Sequence, residues 1–295
     1  MIASTRPRRS VLYMPGSNTR ALEKARNLPA DALILDLEDA VSPEAKKEAR
    51  VHVVDAVRNG GYGGREILIR VNGLETPWGR DDIAAAARAR PDGILLPKVN
   101  SAEEVRAAVR IMGEVGADPS VAVWCMMETP RGILHAEEIA GASLRLAGFV
   151  MGTSDLAKDL HAHHTMMRLP MMTSLGICLL AARAEGLAVI DGVYLDLNDE
   201  DGFAQSCRQG VELGFDGKTL IHPRQIAPAN EAFAPSEAEI GFSRRIIAAH
   251  EAAMREGKGV VVVDGKLVEG LHVENAQRLV ALADAIDALE GEVAQ

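Results

Sequence analysis

The sequence predicts a parallel (β/α)8 barrel of the TIM type, followed by a C-terminal helix–hairpin extension. Short, almost continuously apolar runs alternate with amphipathic stretches rich in Ala, Glu and Arg, and eight such runs precede His222. Such runs are typical of parallel strands covered on both faces, and their alternation with helices indicates βα units. Eight strands favour a closed barrel over an open sheet, and 295 residues suffice for a barrel of about 250.

The predicted strands and helices follow each other in regular order along the chain. The strands are expected at Ser10–Tyr13, Ala32–Leu37, Ile67–Val71, Gly93–Pro97, Val121–Met127, Gly148–Gly152, Ala188–Val193 and Phe215–Ile221. The helices are expected at Asn18–Asn27, Pro43–Arg58, Asp81–Arg90, Ala102–Val115, Ala136–Ala140, Thr173–Ala184 and Glu200–Leu213. The first strand–helix loop lacks a G-x-G-x-x-G motif, which argues against a dinucleotide-binding fold.

The pattern changes after His222. A helix at Ser236–Arg255 precedes two short runs, Val260–Val263 and Lys266–Glu269, which are separated by Asp-Gly and therefore predict a β-hairpin. A closing helix is expected from Val273 to Leu289. We expect a catalytic barrel in residues 1–232 and an extension in residues 233–295 that acts as a lid.

Composition narrows the class of protein. The formal charge of −10 argues against a nucleic-acid partner, because phosphate contacts need a basic surface. No apolar run reaches the roughly 20 residues of a membrane span, and no apolar segment follows the N-terminal arginines as in a signal peptide. Three widely spaced cysteines do not form a disulfide framework. We expect a cytoplasmic protein. Its N-terminal basic cluster either holds a small anion or is solvated, and consists of Arg6, Arg8, Arg9, Arg20, Lys24 and Arg26.

Charged residues stand at the predicted strand ends, where barrel enzymes carry their catalytic groups. We expect them to meet at one mouth; they are Asp36, Glu38, Asp39, Arg70, Asn72, Lys98, Glu128, Asp155, Asp191, Lys218 and His222. The cluster His161, His163 and His164 lacks the i, i+4 spacing of a helical zinc site and is typical of a polar loop.

Glu128 and Asp155 follow adjacent strands, which lie about 5 Å apart. Two carboxylates at that distance repel unless one is protonated or a cation bridges them. Oxygen ligands of this kind suit Mg²⁺, with Mn²⁺ as an alternative ion. The structural alternative is that one of them pairs with an arginine, or that Asp155 caps a helix at Leu156–Leu160.

Arg70 lies within a strand and points either outward or into the mouth. A buried arginine needs an anionic partner, either Asp36 or Glu38 of the protein or a substrate carboxylate held by two hydrogen bonds. Glu38 and Asp39 have the structural alternative of neutralising the cations at neighbouring strand ends.

Seven segments in order resemble the citrate lyase beta-subunit-like CoA-ester lyases of the HpcH/HpaI aldolase superfamily, over nearly the whole chain. They are Arg9–Gly16, Leu35–Val41, Ile69–Gly73, Leu95–Lys98, Met127–Pro130, Gly152–Asp155 and Gly214–Pro223. The resemblance implies a homotrimeric barrel and magnesium bound by Glu128 and Asp155. It also implies that Arg70 contacts substrate oxygens and that CoA lies near Tyr13, Asn18 and Lys24. We add Lys98 to the predicted substrate-binding residues, and Asp36 and Glu38 to the catalytic ones.

One position departs from the family pattern. The lid commonly carries an aspartate, whereas this chain has Glu269. The sequence most resembles the subgroup with (3S)-malyl-CoA thioesterase activity, in which Glu269 would position or activate water; the alternative is an exposed turn residue. The expected reaction is hydrolysis of malyl-CoA to malate and CoA. The alternatives are retro-Claisen cleavage of malyl-, methylmalyl- or citramalyl-CoA, and a subunit that is inactive without its partners.

Overall fold

The computed structural model describes residues 6–255, 257 and 260–293. Within them the chain forms two compact units. One unit is Arg8–Phe233, and the other comprises the residues from Ala234 onward together with Arg6 and Pro7. Among the described residues, no helix combines the length and apolar character that a membrane span requires.

The first unit is a closed barrel of parallel strands hydrogen-bonded in sequence order, which confirms the predicted fold. The strands are β1 (Ser10–Pro15), β2 (Ala32–Asp36), β3 (Glu66–Arg70), β4 (Gly93–Leu96), β5 (Ala122–Met127), β6 (Leu146–Met151), β7 (Ala188–Asp191) and β8 (Gly217–Leu220). The barrel closes where Ser10 of β1 pairs with Lys218 of β8. Each predicted apolar run overlaps one of these strands.

Helices connect the strands. They are α1 (Thr19–Ala25), α2 (Lys46–Asn59), α3 (Gly79–Ala89), α4 (Ala102–Glu114), α5 (Pro130–Leu134), α6 (Ala136–Ala140), α7 (Thr153–Asp159), α8 (Met172–Ala184), α9 (Glu200–Leu213) and α10 (Ile226–Phe233). The sequence had not indicated α5 and α10. The proposed cap at Asp155 is wrong, because α7 begins at Thr153 with Gly152 as its N-cap and Asp155 lies in its first turn.

Apolar side chains fill the inside of the barrel. This inner cluster consists of Val11, Ala32, Ile34, Leu68, Leu95, Trp124, Met126, Val150 and Ile190. Trp124 fits because two neighbours are glycines: a Cβ on Gly148 would lie 2.4 Å from the indole ring, and one on Gly93 would lie 2.8 Å from it. Since side chains alternate along a strand, the inner cluster also fixes which residues near the strand ends face the mouth.

Ion pairs lie at the N-terminal end of the barrel. Arg9 donates to both carboxylate oxygens of Asp31 at 2.9 Å, and both side chains are buried. Arg8 donates to Glu66 at 2.8 Å and stacks 5.0 Å from the Trp124 ring centroid. These two members of the N-terminal basic cluster therefore hold the barrel together rather than forming a solvated surface.

The second unit contains α11 (Glu237–Arg255), β9 (Val261–Val263), β10 (Lys266–Val268) and α12 (Gly270–Val293). The two strands pair antiparallel, as predicted. Asp264 and Gly265 both have positive φ, at 49° and 77°, which is the conformation of a type I′ hairpin turn. The apolar core of the second unit consists of Ile246, Val263, Val268, Val273 and Ala276.

Candidate active site

The charged residues at the ends of β2, β3, β4 and β5 meet at the C-terminal mouth of the barrel. Asp36 is two positions after the inward-facing Ile34, and Arg70 is two positions after the inward-facing Leu68. Both side chains therefore face the barrel interior, and the two residues pair in the strand register. Of the two directions predicted for the Arg70 side chain, outward or into the mouth, the structure shows the second.

Asp36 holds Arg70 in place. Its carboxylate accepts Nε at 2.7 Å and Nη2 at 2.6 Å, a two-point geometry that fixes the guanidinium plane. The same carboxylate accepts the backbone N–H groups of Glu38 at 2.9 Å and Ala40 at 3.2 Å. Asp36 is only 1% exposed, so it is a buried acceptor that orients both the arginine and the loop after β2.

The third nitrogen of Arg70 is the one that Asp36 leaves available. Nη1 lies 2.9 Å from Oε2 of Glu38, outside hydrogen-bond alignment, 3.6 Å from Asp39 and 3.6 Å from the sulfur of Met126. The guanidinium carbon stacks 4.9 Å from the Tyr13 ring centroid. Burial alone would lower the pKa of Arg70, but the nearby carboxylates outweigh it and raise that pKa. Arg70 is therefore a permanently charged donor.

Lys98 connects the acidic residues around the mouth. Its ammonium contacts Glu38 and lies 3.8 Å from Asp39 and 3.6 Å from Asp155. Its backbone N–H donates to Oε1 of Glu128 at 2.8 Å. Lys98 has a φ of 49°, which a non-glycine residue rarely adopts, and this conformation accompanies its contacts with both sides of the mouth.

Glu128 is 2% exposed. A residue larger than glycine at position 152 would collide with its carboxylate, since a Cβ there would lie 2.2 Å from Oε2. Burial, followed by repulsion from Glu38, raises the pKa of Glu128 to about 7. A buried carboxylate with a raised pKa would be stabilised in its charged form by a nearby divalent cation. Asp155, at the same mouth, could supply a second oxygen ligand to that ion. Among the described residues, no group of three or more His, Cys, Asp or Glu has metal-binding geometry. Two protein ligands would leave coordination positions for substrate and water.

The other predicted site residues are spread over both units. Tyr13 faces the barrel interior beneath Arg70. Asn18 caps α1, accepting the N–H of Ala21 at 3.0 Å, and Lys24 is exposed in the last turn of that helix. Glu269 belongs to the second unit, where it is exposed between β10 and α12. His161, His163 and His164 are exposed in the segment after α7.

Asp191 and Lys218, which we expected at the mouth, lie elsewhere. Ile190 faces the barrel interior, so Asp191 faces the surrounding helices, and a Cβ on Gly210 of α9 would lie 3.2 Å from its carboxylate. Lys218 donates to Asp191 at 2.9 Å, and both residues are fully buried. Arg168, a residue that the sequence had not singled out, donates to both oxygens of Asp191 at 2.7 and 2.8 Å.

A parallel eight-stranded barrel with an oriented arginine and several carboxylates at its C-terminal mouth places this protein among the (β/α)8 barrel enzymes. Residues 9–223 match the profile of the HpcH/HpaI aldolase/citrate lyase family, and the chain belongs to that family. The resemblance seen in the sequence motifs is thereby confirmed.

Two relatives and one solved structure extend this finding. The chain is 52% identical over 288 residues to the (3S)-malyl-CoA thioesterase of Cereibacter sphaeroides (strain ATCC 17025), covering 98% of this chain and 99% of the relative. It is 38% identical to citrate lyase subunit beta of Escherichia coli K12, covering 95% and 94%. The crystal structure of CitE from Mycobacterium tuberculosis, in complex with magnesium, acetoacetate and coenzyme A, superposes with a TM-score of 0.72 at 28% identity, covering 93% and 97%.

Proposed function

We propose that this enzyme hydrolyses (3S)-malyl-CoA to malate and CoA with the help of Mg²⁺. The observation that carries the proposal is the 52% identity, over essentially the full length of both chains, to a (3S)-malyl-CoA thioesterase. Magnesium and CoA are supported by the similar structure that contains both. Mn²⁺ is a possible substitute ion, because it accepts similar oxygen ligands.

Glu128 and Asp155 are the proposed ligands of the metal. When bound, the ion supplies a positive charge that anchors and polarises the oxygens of the substrate. Glu128 is suited to this role because Lys98 and the glycine at position 152 fix its carboxylate. Asp155 is 28% exposed, so it is accessible from the mouth.

Arg70 is the proposed donor to the thioester oxygen. Two of its nitrogens are held by Asp36, so Nη1 keeps a fixed position from which it would donate to the substrate. Hydrolysis places negative charge on the thioester oxygen in the transition state, and a preorganised cationic donor stabilises that charge. Glu38 lies between Arg70 and Lys98 and, in this proposal, keeps the two cations oriented.

The remaining assignments concern substrate binding and water. Tyr13, Asn18 and Lys24 are proposed contacts to the acyl-CoA, because α1 begins just after the mouth end of β1. Lys98, just after the mouth end of β4, is a further proposed contact. Glu269 is the proposed residue that positions the attacking water. It belongs to the C-terminal extension, residues 233–295, which is the proposed lid, and residues 1–232 are the proposed catalytic barrel. A homotrimer belongs to the same proposal and is tested by the mass of the enzyme in solution.

Product analysis tests the proposed reaction. Purified enzyme is supplied with (3S)-malyl-CoA and Mg²⁺, and malate with CoA is separated from glyoxylate with acetyl-CoA. Malate with free CoA is the expected result, and EDTA should abolish its formation. If neither pair of products forms, the proposal is wrong, and if turnover persists in EDTA, the metal assignment is wrong.

A matched pair of variants separates the metal ligand from other glutamates. Glu128→Gln keeps the size of the side chain but removes a ligand charge, so we expect weaker Mg²⁺ binding by calorimetry and a loss of turnover. Glu138→Gln, an exposed change on α6, should leave both unchanged. Equal Mg²⁺ affinity in the two variants would contradict the role of Glu128.

Carbon–carbon cleavage is the second candidate, favoured by membership of an aldolase/citrate lyase family. It shares the metal site and Arg70, which would stabilise an enolate instead of a tetrahedral oxyanion. The exchange Glu269→Asp tests the difference, because it should lower the ratio of hydrolysis to cleavage.

The similarity to citrate lyase subunit beta also raises a third possibility, a subunit that acts only with partner proteins. Turnover by the purified chain alone would exclude this reading.

A further inference from the structure

A buried lysine lies behind the mouth, at the start of α2. Lys46 is 6% exposed, and its ammonium lies 5.7 Å from the Trp78 ring centroid. It donates to the backbone carbonyls of Leu37 at 2.8 Å and Glu38 at 2.6 Å. Both acceptors are uncharged, so this cation is buried without a carboxylate in its hydrogen-bond set among the described residues. A buried charge of this kind is costly and calls for a reason.

Lys46 holds the connection that follows β2. The N–H of Leu37 donates to the carbonyl of Arg70 at 2.9 Å, and its carbonyl also accepts the side-chain amide of Asn72 at 3.0 Å. The N–H of Glu38 donates to Asp36. Together these bonds fix the direction of both peptide groups, and thus the direction in which the Glu38 side chain leaves the backbone.

Asn72 and Lys46 divide this task unequally. Asn72 is held by Asp82 at 2.6 Å and reaches only the carbonyl of Leu37. The carbonyl of Glu38 accepts the Lys46 ammonium at 2.6 Å and also the backbone N–H of Val41, in the same connection, at 3.0 Å. Loss of Lys46 therefore leaves the Leu37 carbonyl bound to Asn72, whereas the Glu38 carbonyl keeps the local turn bond from Val41 but loses its attachment to α2.

We propose that Lys46 is a positioning residue, which holds the Glu38 peptide so that the Glu38 carboxylate stays between Arg70 and Lys98. Glu38 contacts Lys98 and lies 2.9 Å from Nη1 of Arg70, the nitrogen assigned to the substrate oxygen. Freeing Glu38 moves the negative charge that faces this nitrogen and lets the Lys98 ammonium move, while Asp36 still holds the guanidinium plane. The inference rests on the proposed function for its kinetic consequence but not for its structural one.

Burial supports an exacting role for Lys46. Burial lowers the pKa of the Lys46 ammonium, although nearby carboxylates favour its charged form. Keeping this charge buried therefore costs free energy of folding. A solvated lysine at the start of a helix would bear no such cost. The adjacent Lys47 is exposed and provides a control of the same chemistry one residue away.

The experiment compares Lys46→Met with Lys47→Met in the full-length enzyme with Mg²⁺. Hydrogen exchange measured by mass spectrometry follows the amides of residues 36–41, which include the Glu38 and Ala40 N–H groups bound to Asp36. We expect exchange about tenfold faster in Lys46→Met than in Lys47→Met, since local opening loses hydrogen bonds to a charged donor. With (3S)-malyl-CoA, kcat should fall by about 10- to 100-fold with a much smaller change in KM. Lys46→Arg, which keeps a charged donor, should recover part of kcat.

The outcomes are distinguishable. Unchanged exchange in residues 36–41 overturns the positioning role, and faster exchange with an unchanged kcat overturns its catalytic consequence. A wild-type enzyme inactive on malyl-CoA contradicts the proposed function, while the exchange comparison still decides whether Lys46 holds the connection. If Lys46→Met does not fold, Lys46→Gln is measured instead, with the same expected direction, because a neutral amide cannot replace both charged hydrogen bonds.

Discussion

Two buried aspartates, Asp36 at the end of β2 and Asp191 at the end of β7, bind an arginine in similar ways but do so on opposite sides of the barrel wall. Asp36 faces the interior and orients Arg70 at the mouth. Asp191 faces the helices and accepts Arg168 and Lys218. Asp36 is bound by two nitrogens of Arg70, whereas Asp191 is bound by one nitrogen of Arg168 and by Lys218, and the two carboxylates point in opposite directions.

The register of each strand decides this difference. Asp36 lies two residues after the inward-facing Ile34, whereas Asp191 lies one residue after the inward-facing Ile190. A shift of one residue moves a side chain to the other face of a strand. At the mouth, the arginine keeps one nitrogen directed to the site and serves the proposed chemistry. Behind the wall, the two cations are enclosed with their carboxylate and serve stability.

The largest expected effect is on stability, in Asp191→Asn. Lys218 is fully buried, and without the carboxylate its charge is left uncompensated. Breaking a buried pair in this way costs about 3–5 kcal/mol, which urea denaturation of the variant measures. The exposed change Asp81→Asn, which removes a pairing with Arg50 at 3.5 Å, should cost at most about 1 kcal/mol. If the two variants lose similar stability, the structural role of Asp191 is refuted.

Arg70→Lys should lower activity much more than stability. Lysine keeps a cation beside Asp36 but cannot bind both its oxygens and also direct a third nitrogen to the site. We expect kcat/KM for malyl-CoA to fall by about 10²- to 10³-fold, with a much smaller change in the free energy of unfolding. The matched control is Arg168→Lys, which should leave kcat/KM nearly unchanged. A comparable loss of activity in both variants would remove the distinction between the two aspartates.

The sequence predicts the barrel well because apolar strands and amphipathic helices have different periods. It also places Asp36, Arg70, Lys98, Glu128 and Asp155 near the mouth, since each lies at the end of a strand or soon after it. Their roles in the reaction stay predictions. The sequence does not reveal whether the side chain of a strand residue faces the barrel interior or the surrounding helices. A strand buried on both faces is apolar throughout and has no alternating pattern to read.

This limitation explains the errors at Asp191, the last residue of β7, and Lys218, which lies within β8, because both side chains face the helices. Lys46 and Arg168 were overlooked for a different reason. A lysine at the start of an amphipathic helix and an arginine in a loop rich in His and Met have the pattern of solvated residues. Their burial depends on carbonyls and a carboxylate contributed by distant parts of the chain.

Arg168→Met should cost less than Asp191→Asn, because Asp191 keeps Lys218 as its partner. The variant loses the hydrogen bonds to Asp191 and to Gln209, the latter at 2.5 Å. Lost hydrogen bonds to charged groups predict a cost of about 1.5–3 kcal/mol in the same denaturation assay. A loss as large as that of Asp191→Asn would mean that Lys218 does not compensate the carboxylate by itself.

The smallest expected effect is the pH dependence of the Asp191 contribution. Burial would raise the pKa of Asp191, but Lys218 and Arg168 outweigh it, and the pKa lies below the usual value of about 3.9. The folded state therefore binds this proton more weakly than the unfolded state does. The stabilisation is complete above about pH 4 and is lost as the pH falls through the pKa of the folded protein.

It follows that the stability difference between wild type and Asp191→Asn should be constant from about pH 7 to pH 5 and shrink below about pH 4, because a protonated aspartic acid resembles asparagine. Denaturation curves recorded for both proteins across this range measure the difference directly. A difference that grew on acidification would mean that burial, rather than the two cations, controls the ionisation of Asp191. In that case the carboxylate behind the wall would resemble a desolvated catalytic group more than a structural one.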